Sequence, residues 1–549
     1  MKLHYSGHAL PRSDGAECDD AWAVGERRDT VVAALADGVG ASREGGAAAR
    51  HAVEMLADYC LARPRAWSPR RALAEFTAQV NRHLHSEALQ RHGTPELACT
   101  LAAVLLDGGR LYGCNVGDSS VFLARGARLQ RLSTAHTLAQ PGFDHVLTRA
   151  LGLAPDVEPH FFETELADGD LVLLCSDGVT TALNEERLAA LLAQRPTARS
   201  LVAAARAATA EKPELRDDAS AIVLDVVKRG SATDPASTRL EILPALRAGQ
   251  LVAGHRLVRP LATGNDRVWL ADDAAASRVV LKFPPLEAAD SELLRDAFVR
   301  EAWNATRLIS PDLVRAWTPG GAELHCYAME FLEAPTLRAV LRYGRLGVEE
   351  ARELARFFMR VGQFLVRHDL GHGDLKPDNV LVLRGAAGTG FRLLDLGSAA
   401  ELFSVTSRAG TASYLAPERF RGNALSERTE IFAIGVTLYE ALTGAYPYGE
   451  IERFQTPRFD AVPRRVTRLN AAVPAWFEAV IARAIDADPE RRYQNFSEMA
   501  FDLANPARVA PHHRKDAPLL ERNPLLFYKI ACAALLALSL WLIARLLAR

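Results

Sequence analysis

Aspartates stand where apolar runs begin or end at four places: Asp19-Asp20 in CDDAWAV, Asp37-Gly38 in LADGVG, Asp177-Gly178 in LLCSDGVT and Asp217-Asp218 in LRDDASAIVL. Hard divalent cations take carboxylate and carbonyl oxygens and keep several waters, so these pairs, folded together, suit a binuclear Mg or Mn site. One Asp-Gly by itself is an ordinary turn. In the second half, HGDLKPDNVLV runs from His372 to Val382. Asp374 can accept a hydroxyl proton, Lys376 two residues on can balance a phosphate, and Asn379 can hold a metal. Transfer of a phosphoryl group needs these parts. Lys282 in VVLK, Glu301 in VREAWNATRL and Asp395 in LLDLG add a cation and two carboxylates in the surrounding sequence.

These residues are far apart in the chain, so strands and turns must gather them. Up to about residue 229, VVAALADG, LAAVLLDGG, LYGCNVGD, VFLARG and LVLLCSDG read as strands closed by turns, with a hairpin at Asp107-Gly108-Gly109. Ala47 to Cys60 and Ala198 to Ala210 carry helical spacing, which together with the strands implies a mixed α+β domain. RGSATDPASTR, from Arg229, has no periodic apolar face and reads as a linker. LVAGHRLVRPL opens a second domain that starts strand-rich, turns helical after about Glu333 and ends near Asn505. Pro506, Pro511, Pro518 and Pro524 then break any continuous helix. The expected division is 1–229, a linker at 230–250, 251–505, a second linker at 506–524 and an apolar tail at 525–548. No repeat at solenoid periods is present.

Taken in order, the acidic pairs together with ACTLAAVLLDGGRLYGCNVGDSSVFL, LTRALG and DGDLVLLCSDG resemble the metal-dependent Ser/Thr protein phosphatase family, the PPM type, over residues 1–229. The resemblance implies an α/β-β/α sandwich. It implies that Asp20, Asp37, Asp177 and Asp217 hold two Mg or Mn ions, with the Gly38 carbonyl as a further ligand, Asp19 acting through water and Asp118 reaching a third ion. The cations would activate a water for in-line attack on phosphorus and neutralise the phosphoryl oxygens. The sequence departs from the family in two places. DGVGAS lacks the histidine some relatives place after this Asp-Gly, and Arg12 lies farther from the first acidic pair than the family's phosphate-binding arginine.

The string around Asp374, with GTASYLAPE ending at Glu418 and AIDADPERRYQ containing Arg492, resembles the eukaryotic-like Ser/Thr protein kinase family over about residues 251–505, hence a bilobal fold. By that resemblance Asp374 is the base, Lys376 its phosphate-neutralising partner, Asn379 and Asp395 the Mg ligands, and Lys282 with Glu301 the ion pair on ATP. Glu418 and Arg492 would form a structural salt bridge. Met329 and Glu330 in YAMEFLE would flank the adenine, and Gly264 is what remains of the glycine-rich cover. Gly373 replaces an arginine, Glu430 an aspartate, and Leu396 a phenylalanine of the usual motifs. Two readings stay open: an active kinase fused to the phosphatase, or a nucleotide-binding pseudokinase serving as a membrane-bound sensor or scaffold beside an active phosphatase.

Composition narrows the partners. The 549 residues are 49% hydrophobic and 24% charged with a formal charge of -2, which is globular and gives no pull toward nucleic acid. Seven scattered cysteines without a CxxC read as reduced core thiols. MKLHYSGHALPRSDG has no apolar stretch after a basic start, so a secretory leader is not expected. LLFYKIACAALLALSLWLIA, from Leu525 to Ala544, carries one charge, Lys529, and at about 1.5 Å per residue would cross roughly 30 Å of hydrocarbon. More basic residues precede it than follow it, which favours a cytoplasmic body held to the inner membrane by a single carboxy-terminal anchor. A helix buried against a partner is the competing reading. The expected substrates are Ser/Thr and phospho-Ser/Thr of proteins, this chain among them.

Overall fold

Side chains that alternate between two cores build the first unit. In the computed structural model Leu171, Leu173 and Cys175 enter one buried cluster while Val172 and Leu174 enter another. That is the period of two of a strand covered on both faces. The structure describes all residues except 14, 28, 40–43, 65, 139–145, 212–215, 231–241, 263–264, 320–325, 369, 386–387, 397–399, 402–410, 452–458, 513–523 and 548–549. Gly264 and most of the expected linker lie outside the described residues. The chain forms two compact units that part between Leu243 and Pro244.

Two five-stranded antiparallel sheets make the first unit. One runs β1 (Lys2–Leu10), β10 (Ala219–Lys228), β9 (Leu171–Cys175), β6 (Ser120–Arg125), β7 (Arg128–Arg131). The other runs β2 (Ala21–Arg27), β3 (Thr30–Ala36), β4 (Leu101–Asp107), β5 (Arg110–Val116), β8 (His160–Glu165). Val31, Ala33, Val104, Val172, Leu174 and Ile222 fill the space between them. α1 (Gly45–Leu61) packs on β2 and β3, and α2 (Pro69–His92) on β5 and α1. Beyond the first sheet, α3 (Asp177–Thr180), α4 (Glu185–Leu192) and α5 (Ala198–Ala208) follow, and α4 and α5 bury Leu188, Leu192, Leu201 and Val202. The layering is the expected α/β-β/α sandwich. Gly108 and Gly109, both at positive φ (57° and 77°), turn β4 into β5 with Asp107 opposite Arg110, as a two-residue hairpin requires.

Register puts the acids on one edge. Ala21 pairs with Ala36, Leu101 with Val116, and both Ser120 and Ala221 with Cys175. The starts of β2, β4, β6 and β10 and the ends of β3, β5 and β9 therefore lie together, and every acidic pair sits within three residues of one of them.

The second unit opens with a six-stranded antiparallel sheet. Its order is β11 (Leu251–Val252), β12 (His255–Ala262), β13 (Asn265–Asp272), β14 (Arg278–Lys282), β16 (Tyr327–Glu330), β15 (Ala316–Trp317). α6 (Glu292–Arg307) interrupts it, a helix before Glu333 that strand-rich expectation did not include. After α7 (Leu337–Leu341) comes α8 (Val348–Val366), whose Ala351, Leu354, Ala355, Phe358 and Leu365 form one buried stripe. Two short ladders carry the loop residues: β17 (Leu370–Gly371) with β20 (Ala400–Glu401), and β18 (Val380–Gly385) with β19 (Gly388–Leu393). α9 (Pro417–Phe420) leads to α10 (Glu427–Thr443), buried from Thr429 to its end, flanked by α8 and by α12 (Ala475–Ala484). The short α11 (Val466–Leu469) precedes α12, and α13 (Phe496–Ala504) packs on α8.

α14 (Pro524–Leu547) contains a 21-residue apolar span, Leu525–Arg545, of mean hydropathy 2.1 and with no buried residue. It is long and apolar enough to cross a bilayer. The thiols depart from expectation here. Cys60, Cys99, Cys114, Cys175 and Cys326 are buried and free, whereas Cys18 is half-buried and Cys532, on α14, is exposed.

Candidate active sites

In the first unit the sandwich edge brings Asp20, Asp37, Asp118, Asp177 and Asp217 within electrostatic reach of one another. Asp20 is buried at the start of β2, and its Oδ2 accepts a 2.7 Å bond from Ser176 Oγ. Asp37 follows β3. Its N–H donates to Thr100 Oγ1 at 3.0 Å and its carbonyl accepts from Thr100 N at 2.8 Å, while Thr100 Oγ1 lies 2.7 Å from Ser119 Oγ. Gly38 N–H donates to the Asp19 carbonyl at 3.2 Å. A Cβ on Gly38 would stand 2.4 Å from the Gly45 carbonyl carbon, and one on Gly46 would stand 2.6 Å from Asp19 Oδ1. The start of α1 can close on the two acids only where side chains are absent.

Burial and mutual repulsion raise the carboxyls of Asp20, Asp37, Asp118 and Asp177. Desolvation leads in every case. Asp20 is pushed up to about 6, and Asp177, beside Asp118 and Asp217, to about 7. Asp37 lies well above the usual carboxylate range, with Asp20 and Asp177 adding to its burial. Asp118 is raised too, partly offset by Arg131. Oδ1 of Asp20 and Oδ1 of Asp177 are buried without a hydrogen-bond partner. Convergent oxygens, two of them unsatisfied, in a cluster of excess negative charge are a donor set that fits hard divalent cations. When bound, such cations supply charge neutralisation and an activated water.

Asp217 is exposed, with Oδ1 accepting the Asp218 N–H at 2.8 Å. Asp218 does work that its place in the motif did not reveal. Its buried carboxylate takes the Arg12 and Asp19 backbone N–H groups, each at 2.6 Å, and so ties the loop before β2 to the start of β10. A second acid directly after Asp217 was the available signal. The Arg12 residue is exposed, and its carbonyl accepts from Arg206 at 2.7 Å.

In the second unit Lys282 ends β14 and spans two carboxylates, Glu301 Oε1 of α6 at 2.5 Å and Asp395 Oδ1 at 2.8 Å. Tyr327, opposite Lys282 in the sheet, donates its hydroxyl to the same Glu301 oxygen. Burial would lower the Lys282 ammonium, yet Glu301 and Asp395 outweigh it and hold the charge more firmly than usual. Burial raises Glu301 in spite of Lys282. Asp395 takes a left-handed backbone, φ 52°, and its carbonyl lies 2.7 Å from His372 Nε2.

Asp374 is the centre of a second constellation. Lys376 Nζ approaches its Oδ2 at 2.6 Å, Asn379 Nδ2 donates to its carbonyl at 2.9 Å and to Oδ2 at 3.3 Å, and Thr411 N–H donates to Oδ1 at 2.9 Å. Lys376 also donates to Thr411 Oγ1 at 2.6 Å. Glu430, buried in the first turn of α10, accepts the His372 and Gly373 N–H groups at 3.1 and 3.0 Å and so braces the loop that carries Asp374. Of the hydroxyls between Asp395 and Glu418, Thr411 is thus a partner of the centre, and Ser413 Oγ accepts from Ile451 N at 3.0 Å. Ser404, Thr406 and Ser407 lie outside the described residues. Met329 and Glu330 end β16, half-buried, with the Glu330 carboxylate accepting the Arg315 N–H at 2.9 Å. Leu396 is buried. Arg492, fully buried, makes a bidentate pair with Glu418 at 2.6 and 2.8 Å.

The two sites define a chain that gathers an all-oxygen acid cluster in one unit and the parts of a phosphoryl-transfer cleft in the other. Residues 10–214 match the family described as Protein phosphatase 2C, and residues 268–502 the family described as Protein kinase domain. The chain is therefore a protein phosphatase 2C domain fused to a Ser/Thr protein kinase domain, with one apolar helix toward its carboxy end. Both domains belong to families that use metal or ATP. The chain is 30% identical over 344 residues to the Serine/threonine-protein kinase PknD of Chlamydia abortus, covering 52% of this chain and 37% of that one. It is 32% identical over 277 residues to PknB of Mycolicibacterium smegmatis, covering 46% and 42%. It thus spans less than half the length of these relatives. Among solved structures, the catalytic domain of the phosphatase PstP in complex with two manganese ions is 26% identical, covering 41% of this chain and 99% of that one, with a TM-score of 0.36.

Proposed function

We propose that this protein both phosphorylates Ser and Thr of proteins with ATP and removes phosphate from the same residue types. In the phosphatase domain Asp20, Asp37, Asp177, Asp217 and the Gly38 carbonyl hold two divalent cations, Mg or Mn, with Asp19 acting through water and Asp118 toward a third. In the kinase domain Asp374 accepts the substrate hydroxyl's proton, Lys376 offsets phosphate charge, and Lys282, oriented by Glu301, reaches the ATP phosphates. Asn379 and Asp395 would hold Mg, Met329 and Glu330 would border the adenine, and Gly264 would contribute to nucleotide binding. The domains extend over 1–229 and 251–505, joined by 230–250, and 506–524 leads to a membrane helix at 525–548 that keeps both on the cytoplasmic face.

The carrying observation is that both sites are assembled on one chain. Lys282 is already paired with Glu301 and Asp395, and Asp374 with Lys376, Asn379 and Thr411, which favours an active kinase over a pseudokinase. Sharing a chain gives each site a high effective concentration of the other's products, so the protein is a natural substrate of itself. Labelled ATP with Mg tests this. Wild type should retain little label, Asp37→Ala should accumulate it on Ser or Thr, and Asp37→Ala with Asp374→Ala should lose it. An unlabelled Asp37→Ala protein that binds ATP would establish the pseudokinase instead. Loss of membrane association on deleting 525–549 tests the anchor.

A further inference from the structure

We infer that His51, His83 and Glu87 form a second, chemically different metal site, for a transition-metal dication of the zinc class. His51 lies on α1, and His83 and Glu87 lie one helical turn apart on α2, so all three face the α1–α2 seam. Their ligand atoms all fall within 4.8 Å of one another. His51 Nδ1 is 3.7 Å, and His83 Nε2 3.5 Å, from the same oxygen, Glu87 Oε2. These distances are too long for hydrogen bonds. They are close to the separation of about 3.4 Å that follows for two ligand atoms about 2.1 Å from one tetrahedral ion. His51 Nδ1 and Glu87 Oε2 are buried without a hydrogen-bond partner.

The surroundings favour a cation over a plain ion-pair cluster. Arg91 already holds the other Glu87 oxygen, Oε1, at 2.5 Å, which fixes the carboxylate with Oε2 toward the imidazoles. Reading the contacts as salt bridges would crowd two imidazolium ions and Arg91 onto one carboxylate. The imidazole rings are 6.5 Å apart at 61°, so they converge on Glu87 without stacking on each other. Two nitrogens and one oxygen select Zn, Co, Ni or Cu over Mg, Ca or Mn, the reverse of the all-oxygen cluster at the sandwich edge. Three protein ligands leave a fourth position for water. Bound there, the ion joins α1 to α2, and α1 begins with the Gly45-Gly46 step that closes on Gly38 and Asp19.

The test uses the full chain in detergent, stripped with chelator and carrying Asp37→Asn and Asp177→Asn so that the acid cluster does not contribute. Titration with Zn should show one equivalent bound in the presence of excess Mg, and Co in its place should give the intense visible bands of a tetrahedral site. His83→Gln should weaken Zn binding by about 100-fold or more and abolish the bands. Should that variant fail to fold, His51→Gln, whose side chain is 44% exposed, is read in its place. No bound Zn, or Zn bound equally well by folded His51→Gln and His83→Gln proteins, overturns the proposal.

Discussion

The two sites carry opposite electrostatic designs. At the sandwich edge, carboxylates crowd each other, burial pushes their proton affinities up, and two oxygens stay unsatisfied. In the kinase cleft each charge meets an opposite one: Lys282 with Glu301 and Asp395, Lys376 with Asp374. A cluster of like charges is completed from outside, by cations, and its geometry costs stability until they arrive. A set of internal ion pairs stands without its ligand, and opening it is what costs. The acid cluster is thus built to accept charge from outside, and the paired set around Lys282 and Asp374 to hold its own geometry.

The contrast breaks most sharply on removing ligands. Asp37→Ala, or exhaustive chelation, should lower turnover of a small aryl phosphate by roughly a thousandfold or more, since the cations supply the activated water. ATP-driven labelling of the kinase domain should persist in Asp37→Ala. Undiminished hydrolysis with Mn present would break the account of the acid cluster. Asp374→Ala should cut labelling by about 10²- to 10⁴-fold when combined with Asp37→Ala, and by itself should leave phosphatase turnover unchanged. Equal loss of both activities would mean that the two sites are not independent.

Stability measurements sharpen the same comparison. Arg492→Ala leaves Glu418 as a buried charge without its partner, and should destabilise the kinase domain by roughly 3 to 5 kcal/mol in denaturant while the phosphatase transition stays in place. Asp37→Asn should act in the reverse direction at its own site. In metal-free protein it relieves repulsion with Asp20 and Asp177 and should raise the phosphatase melting temperature by about 2 to 4 °C, on the order of 1 kcal/mol. With Mn added, wild type should gain more than the variant, so the order inverts. Smallest is Asn184→Ala, which removes the bond that caps α4 by accepting from Arg187 N–H and should cost about 1 kcal/mol with no change in either activity.

Much of this was legible in the chain. Asp-Gly steps after apolar runs located Asp37 and Asp177 because a strand that must stop at a turn advertises its end. The Asp374, Lys376 and Asn379 spacing is local, so a short loop fixes it wherever the loop lies. α2 went unread although Ser68, Pro69 and the Ser68 bond to Arg71 N–H form an ordinary helix start. α6 was missed between strands although Ser291 accepts from Leu294 N–H at its start and Phe298, Val299 and Trp303 give it a buried face.

Tertiary structure alone decided what needs distance. Register between strands, some more than two hundred residues apart, set all the acidic pairs on one edge, and desolvation there, which no residue carries by itself, raised the proton affinities of Asp20, Asp37 and Asp177. It gave Asp218 to two backbone N–H groups about 200 residues away and left Asp217 facing outward. It turned Thr411 from one hydroxyl in a loop into a neighbour of Asp374 and Lys376, and it set His51 beside His83 and Glu87 across two helices. Sequence names the donors and the local spacing. Which donors share a site depends on chain-distant packing, and the charge each one carries depends on the water that packing removes.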